Sequence, residues 1–211
     1  MKLINKYAPK TLDDVIGQPK AIDRLKRLIG RDGFAGGAFW IVGPSGTGKT
    51  TIANCIGRQL SGDPIDVIEL DGDSCTVDAV RKASEMMSLR ALSGGFRVWI
   101  VNEAQAMTPR AVQAWLTTLD RLPSKVCVIF TTTEESEDIF GEYDGPFRSR
   151  CTTIPLTNQG LAPVFAARAL EIARAENLDG QPLPAYVKLV QRHKNNMRAV
   201  LNDIESGCML E

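Results

Sequence analysis

The octapeptide GPSGTGKT at residues 43–50 carries the most specific chemistry in the chain. It fits G-x-x-x-x-G-K-[ST] and lies between an apolar, strand-like run and a helix-like segment, the context a phosphate-binding loop requires. Gly43, Gly46 and Gly48 admit positive φ, so successive backbone N–H groups can turn into one concavity. Pro44, Ser45, Thr47 and Thr51 belong to the same binding element. A helix opening near Lys49 adds the partial positive charge of its N-terminus. Lys49 is expected at the β- and γ-phosphates, and Thr50 can offer its hydroxyl to Mg²⁺. The ligand this implies is a nucleoside triphosphate.

A second candidate is RVWIVNEAQ at 97–105, a buried-type strand ending in polar residues. Catalytic groups of an open α/β sheet belong at such an end. Glu103 is placed to orient and deprotonate a water; the alternative is an ordinary solvated carboxylate at a strand end. Asn102 is neutral but can accept hydrogen bonds from metal-bound water, so Thr50 and Asn102 are the metal candidates.

Short apolar runs at 38–42, 66–70, 97–101 and 126–131, with a shorter one at 152–155, predict strands. Helical spacing covers 12–30, 50–60, 76–92 and 109–122, with Thr76 as a cap and Pro109 in a first turn. Strands separated by helices imply parallel crossovers, hence an α/β fold with a parallel five-stranded sheet. After about Leu156 only helical periodicity remains, with Pro182 and Pro184 in one loop. Residues 1–155 are therefore expected to form a nucleotide-binding α/β domain, and 156–211 a small all-helical domain docked on it.

The 211 residues contain 25 Lys+Arg and 25 Asp+Glu, a formal net charge of zero, so any nucleic-acid surface must be local. Cys55, Cys75, Cys127, Cys151 and Cys208 are scattered, and the one histidine, His193, completes no zinc pattern. Reduced thiols, no signal-like N-terminus and no apolar run of membrane-spanning length predict a soluble, cytoplasmic protein with no membrane partner.

Five ordered segments carry a family resemblance: GPSGTGKT, VWIVNEAQAMTPRAVQAWLTTLD, VIFTTTE, RSRC and NNMRAVLNDIE. Together they resemble a clamp-loader subunit, of the AAA+ ATPases akin to bacterial DnaX-type subunits and replication factor C small subunits. KYAPKTLDDVIGQ looks like the family's N-terminal signature. The likeness spans residues 5–206. It implies ATP and Mg²⁺ as cofactors, an AAA+ α/β domain with a helical lid, and neighbouring AAA+ subunits, DNA and a sliding clamp or helicase as partners. Tyr7 and Pro9 resemble contacts near the adenine, although the usual Arg between them is Ala8. Thr133 resembles the sensor-one residue that positions the hydrolytic water. Arg150 resembles the arginine finger offered to a neighbour's nucleotide. Arg198 resembles the sensor-two arginine, coupling the lid to the phosphates.

Departures from the family pattern bear on rate. Asn102 stands where an Asp is usual, and Gln105 where a His is common. Restoring Asp at 102 is expected to raise turnover. The family's C-terminal helical collar has no counterpart in these 211 residues, as expected either of a minimal AAA+ protein or of a chain cut at the lid; without it, assembly is expected to use ATPase and lid surfaces or a partner. Arg81, Lys82 and Arg90 are candidate DNA-phosphate contacts, with a solvated helix face an equal alternative. The basic stretch from Lys20 to Arg31 reads as a solvated face balanced by Asp14, Asp23 and Asp32; Met86 and Met87 read as packing residues. Three functional readings remain beside clamp loading: a helicase loader, a recombination or branch-migration ATPase, and a nucleotide-binding regulatory subunit with little hydrolysis.

Overall fold

The apolar runs become the strands of one parallel sheet. The structure, a computed structural model, describes residues 1–133 and 139–210. Its strands are β1 (Gly36–Val42), β2 (Val67–Asp71), β3 (Arg97–Asn102), β4 (Val126–Thr132) and β5 (Thr152–Pro155), in spatial order β2-β3-β4-β1-β5. All four pairings are parallel. Each crossover carries helical structure, as parallel neighbours require.

Alternation along the strands divides the core in two. Phe39, Ile41, Val98, Ile100, Cys127 and Ile129 face α2 (Pro19–Ile29) and α3 (Lys49–Ser61). Trp40, Trp99, Val101, Val128 and Phe130 face α4 (Val77–Met87), α5 (Pro109–Leu119) and α6 (Asp144–Arg150). Trp40, Trp99 and Trp115 are at most 1 % exposed; truncating any one to Ala removes about 3–5 kcal/mol of burial and packing. A third core joins α7 (Leu161–Ala175), α8 (Leu183–Arg192) and α9 (Met197–Glu205). Leu3, from the N-terminal helix α1 (Leu3–Lys6), is buried in that third core, so the chain's first residues strap the helical bundle.

Three elements differ from their sequence expectation. The 12–30 stretch splits into a 3-10 turn at Leu12–Asp14 and the helix α2. Pro19 opens α2, and a residue before proline avoids α geometry. Helix α4 ends at Met87 rather than near Leu92. There the buried Asp66 carboxylate accepts the N–H groups of Leu92 (3.0 Å) and Ser93 (2.8 Å), pulling the segment into a turn. Burial pushes the Asp66 carboxyl up, but these hydrogen bonds and the Arg97 guanidinium outweigh it and hold it below the ordinary value. Pro184 lies inside the first turn of α8 rather than in a loop, where its missing N–H costs nothing. Met87 is core, whereas Met86 is 41 % exposed.

Candidate nucleotide site

Parallel strands put all their carboxyl ends on one edge, and the candidate residues collect there. The 43–48 loop follows β1, Glu103 follows β3 and Thr133 follows β4. Gly43, Gly46 and Gly48 all have positive φ (157°, 83° and 93°). At Gly46 the requirement is double, because an added Cβ would also lie 3.0 Å from the Asn195 carbonyl oxygen. The bundle thus touches the loop itself.

Lys49 is 6 % exposed. Its ammonium donates to the carbonyl oxygens of Gly43 (2.8 Å) and Pro44 (3.1 Å). Burial pushes its pKa below the ordinary lysine value, opposed by the Glu103 carboxylate. A desolvated cation at the start of α3, among first-turn N–H groups that lack intrahelical acceptors, suits an incoming anion. The Thr50 hydroxyl donates to Asn102 Oδ1 at 3.2 Å, joining the two metal candidates. No group of three or more His, Cys, Asp or Glu among the described residues could hold a metal alone. The donor set therefore suits a Mg²⁺ held chiefly by phosphate oxygens and water, with one hydroxyl and one amide oxygen from the protein.

Glu103 sits in the left-handed region at φ 49°, uncommon for a non-glycine residue and costly enough to mark a constrained position. Gly72 packs directly against it: a Cβ there would lie 2.2 Å from the Glu103 carbonyl oxygen. The Glu103 carboxylate is held from two sides. Gln105 Nε2 donates to Glu103 Oε2 (2.5 Å) and to Thr133 Oγ1 (2.8 Å), and the Thr133 hydroxyl donates to the same Glu103 oxygen at 3.2 Å. Glu103 and Thr133, 30 residues apart in sequence, thus share one hydrogen-bond triangle closed by Gln105.

A cleft of about 640 Å³ lies between this edge and the helical bundle. Tyr7, Pro9, Ser45 to Thr51, Glu103 and Arg198 line it, so most of the predicted binding residues face one space. The Tyr7 hydroxyl donates to Glu176 of the bundle, and Lys6 pairs with the same carboxylate at 2.6 Å. Those hydrogen bonds hold the Glu176 carboxyl below its usual range. Arg198 lies two residues past Asn196, whose side chain caps α9 by accepting the N–H groups of Arg198 and Ala199.

Arg150 is not in this cleft. It lines a separate cavity of about 350 Å³ with Gly36, Gly37, Leu119 and Leu122. Phe147, buried against Phe130 (4.8 Å) and Trp40 (5.5 Å), anchors α6 and leaves Arg150 on its outer side. There Arg150 grips Asp120 with two bonds, Nε to Oδ1 at 2.7 Å and Nη2 to Oδ2 at 3.0 Å. The hydrogen bond from Arg150 holds the Asp120 carboxyl below its usual range. The adjacent Cys151 thiol, pushed up to about 12 by burial, stays protonated and unreactive.

Several participants were not singled out by residue type or spacing in the sequence. Gln18 is 4 % exposed and bridges the phosphate loop to the start of the bundle, donating to Thr47 O (3.3 Å) and Thr157 O (2.7 Å). Asp120 and Glu69 likewise matter through partners distant in sequence, Arg150 and Asn102. In the basic 20–31 stretch, Lys26 pairs with Asp13, and Asp14 instead caps the 3-10 turn by accepting the Thr11 N–H. Thr133 ends the described part of VIFTTTE, and Glu134 lies outside the described residues. No helix among the described residues is long and apolar enough to cross a membrane.

The family described as "ATPase family associated with various cellular activities (AAA)" matches residues 39–156, over half of the chain. A replication factor C small subunit of Haloarcula marismortui is 31 % identical over 97 % of this chain and 61 % of its own length. That of Natronomonas pharaonis is 32 % identical over 98 % and 62 %. The chain thus spans about three fifths of these relatives. A solved structure titled as the Thermotoga maritima RuvB Holliday junction branch migration motor superposes with a TM-score of 0.71 at 19 % identity, covering 94 % of this chain and 64 % of that one. At that identity the likeness is one of fold.

Proposed function

The chain belongs to the AAA family of ATPases, and from that premise we propose that it binds ATP with Mg²⁺ in the cleft, hydrolyses it with help from a neighbouring subunit, and works on DNA as a clamp-loader subunit. The observation that carries the reading is the division of the candidate groups: Lys49, Thr50, Glu103 and Arg198 gather around one cleft, while Arg150 lies on a different surface. A group that would complete the site but faces away from it suits a partner's site.

In this reading residues 1–155 are the nucleotide-binding domain and 156–211 the lid. The loop N–H groups and Lys49 receive the phosphates, and Tyr7 and Pro9 sit at the base end. Thr50 and Asn102 would hold Mg²⁺, which would supply charge neutralisation at the phosphates. Glu103, fixed by Gln105 and Thr133, takes a proton from the attacking water. Arg198 reports phosphate occupancy to α9. Arg150 of a neighbour supplies positive charge to the transferred group after leaving Asp120. Arg81, Lys82 and Arg90 are exposed on or just after α4, with Arg81 only 3.6 Å from Asp78. They contribute sequence-independent, salt-sensitive contacts to duplex phosphates.

Clamp loading is preferred over branch migration because the relatives near 30 % identity are replication factor C subunits, whereas the branch migration motor shares the fold at 19 %. A steady-state ATPase assay over a range of protein concentrations, with no DNA, primed DNA or a four-way junction, tests this. Specific activity should rise with protein concentration and rise further with primed DNA. Stimulation by the junction alone would favour the branch-migration reading, and a rate independent of concentration would remove the shared site.

A further inference from the structure

Asn102 brings a neutral amide to Thr50 where the family resemblance expects an Asp, and the neighbouring strand holds a carboxylate in contact with it. Strands β2 and β3 pair in parallel with Asp71 opposite Asn102 and Glu69 opposite Ile100. The two-residue period puts Glu69, Asp71 and Asn102 on one face of the sheet. Asn102 Nδ2 donates to Glu69 Oε2 at 3.1 Å. Its Oδ1 accepts from the Thr50 hydroxyl at 3.2 Å and the Thr131 hydroxyl at 3.4 Å. The Thr131 oxygen in turn accepts the Glu103 N–H at 3.3 Å.

This pattern fixes the amide. Turned over, Asn102 would set its carbonyl oxygen against the Glu69 carboxylate and its NH₂ against the two hydroxyls, losing its bond to an anion. We propose that Glu69 is a positioning residue of the Mg²⁺·nucleotide site: it holds the Asn102 carbonyl oxygen toward Thr50 and returns, from β2, the negative charge that position 102 lacks. The inference rests on the nucleotide-binding reading above. It adds a residue on a different strand, and it changes what Asn102→Asp should do. An aspartate at 102 would meet Glu69 at hydrogen-bond distance, where two carboxylates repel each other. The gain from Asn102→Asp alone is therefore small, and removing the Glu69 charge releases it.

The test measures binding of a fluorescent ATP analogue across a MgCl₂ titration, with an EDTA arm, and repeats it with MnCl₂. Supporting residues behind metal ligands commonly contribute about 10–100-fold to metal affinity, so Glu69→Ala should raise the Mg²⁺ concentration for half-maximal tight binding by about tenfold. Affinity in EDTA should stay unchanged, which a general structural role for Glu69 would not allow. Glu69→Gln keeps an acceptor for Asn102 but removes the charge, and should give a smaller rise. In the Asn102→Asp background the sign should reverse: Glu69→Gln lowers the Mg²⁺ requirement below that of Asn102→Asp alone. An unchanged Mg²⁺ requirement in Glu69→Ala, or the same effect of Glu69→Gln in both backgrounds, overturns the proposal while leaving nucleotide binding standing. No binding of the analogue to the unaltered protein, with or without metal, overturns both.

Discussion

Arg150→Ala should lower ATP turnover by about 10³-fold or more, the usual worth of an arginine supplied to a transferring phosphoryl group, while nucleotide affinity stays nearly unchanged. The two effects separate because Arg150 lies outside the cleft that Tyr7, the phosphate loop and Arg198 line. Within one subunit Arg150 is bound in bidentate fashion to Asp120 and also donates to Pro146 O at 2.8 Å. A finger must give up those bonds to reach a neighbour's nucleotide. Asp120→Asn weakens the grip and should lower the protein concentration at which activity rises. Steady-state turnover measured beside equilibrium nucleotide binding checks both variants. Normal hydrolysis by Arg150→Ala would make Arg150 a structural partner of Asp120 and nothing more.

Glu103→Gln should reduce turnover by about 10²–10⁴-fold, the range for losing a positioned general base. The substitution is nearly isosteric, and an amide oxygen at that place still accepts from Gln105 and Thr133. The hydrogen-bond triangle survives, so the variant should bind ATP and hold it. Rapid-quench analysis of bound nucleotide is the check: the variant should retain unhydrolysed ATP through many wild-type turnovers. Hydrolysis at the wild-type rate would return Glu103 to an ordinary solvated carboxylate, and its strained φ of 49° would then need another cause.

What could be read in the sequence was what is local. The phosphate loop is eight consecutive residues whose types answer one geometric demand, so its glycines and Lys49 were identifiable without the fold. The strands were legible because burial on both faces leaves unbroken apolar runs such as VCVIF in β4. Helix α6 was not legible. Seven residues containing Gly145 and Pro146 have no useful periodicity, and what holds α6 is Phe147 against Trp40 and Phe130. The end of α4 was not legible for the same reason, since the Asp66 carboxylate that turns the chain lies 26 residues before its partner Leu92. Asn102 was legible as a neutral metal candidate, one charge short of the usual Asp, but not through its partner. The carboxylate that meets it belongs to another strand, and only the β2–β3 register reveals the contact.

Capture of a nucleoside triphosphate by Lys49 in the cleft beside GPSGTGKT is the step on which the proposed function rests. Equilibrium titration of a fluorescent ATP analogue against the unaltered protein and Lys49→Ala, both in Mg²⁺, tests it most directly. The unaltered protein should bind with saturation, and Lys49→Ala should bind about 100-fold more weakly, since losing one partner of a buried charge pair costs about 3 kcal/mol. Equal affinity in the two proteins would contradict the account.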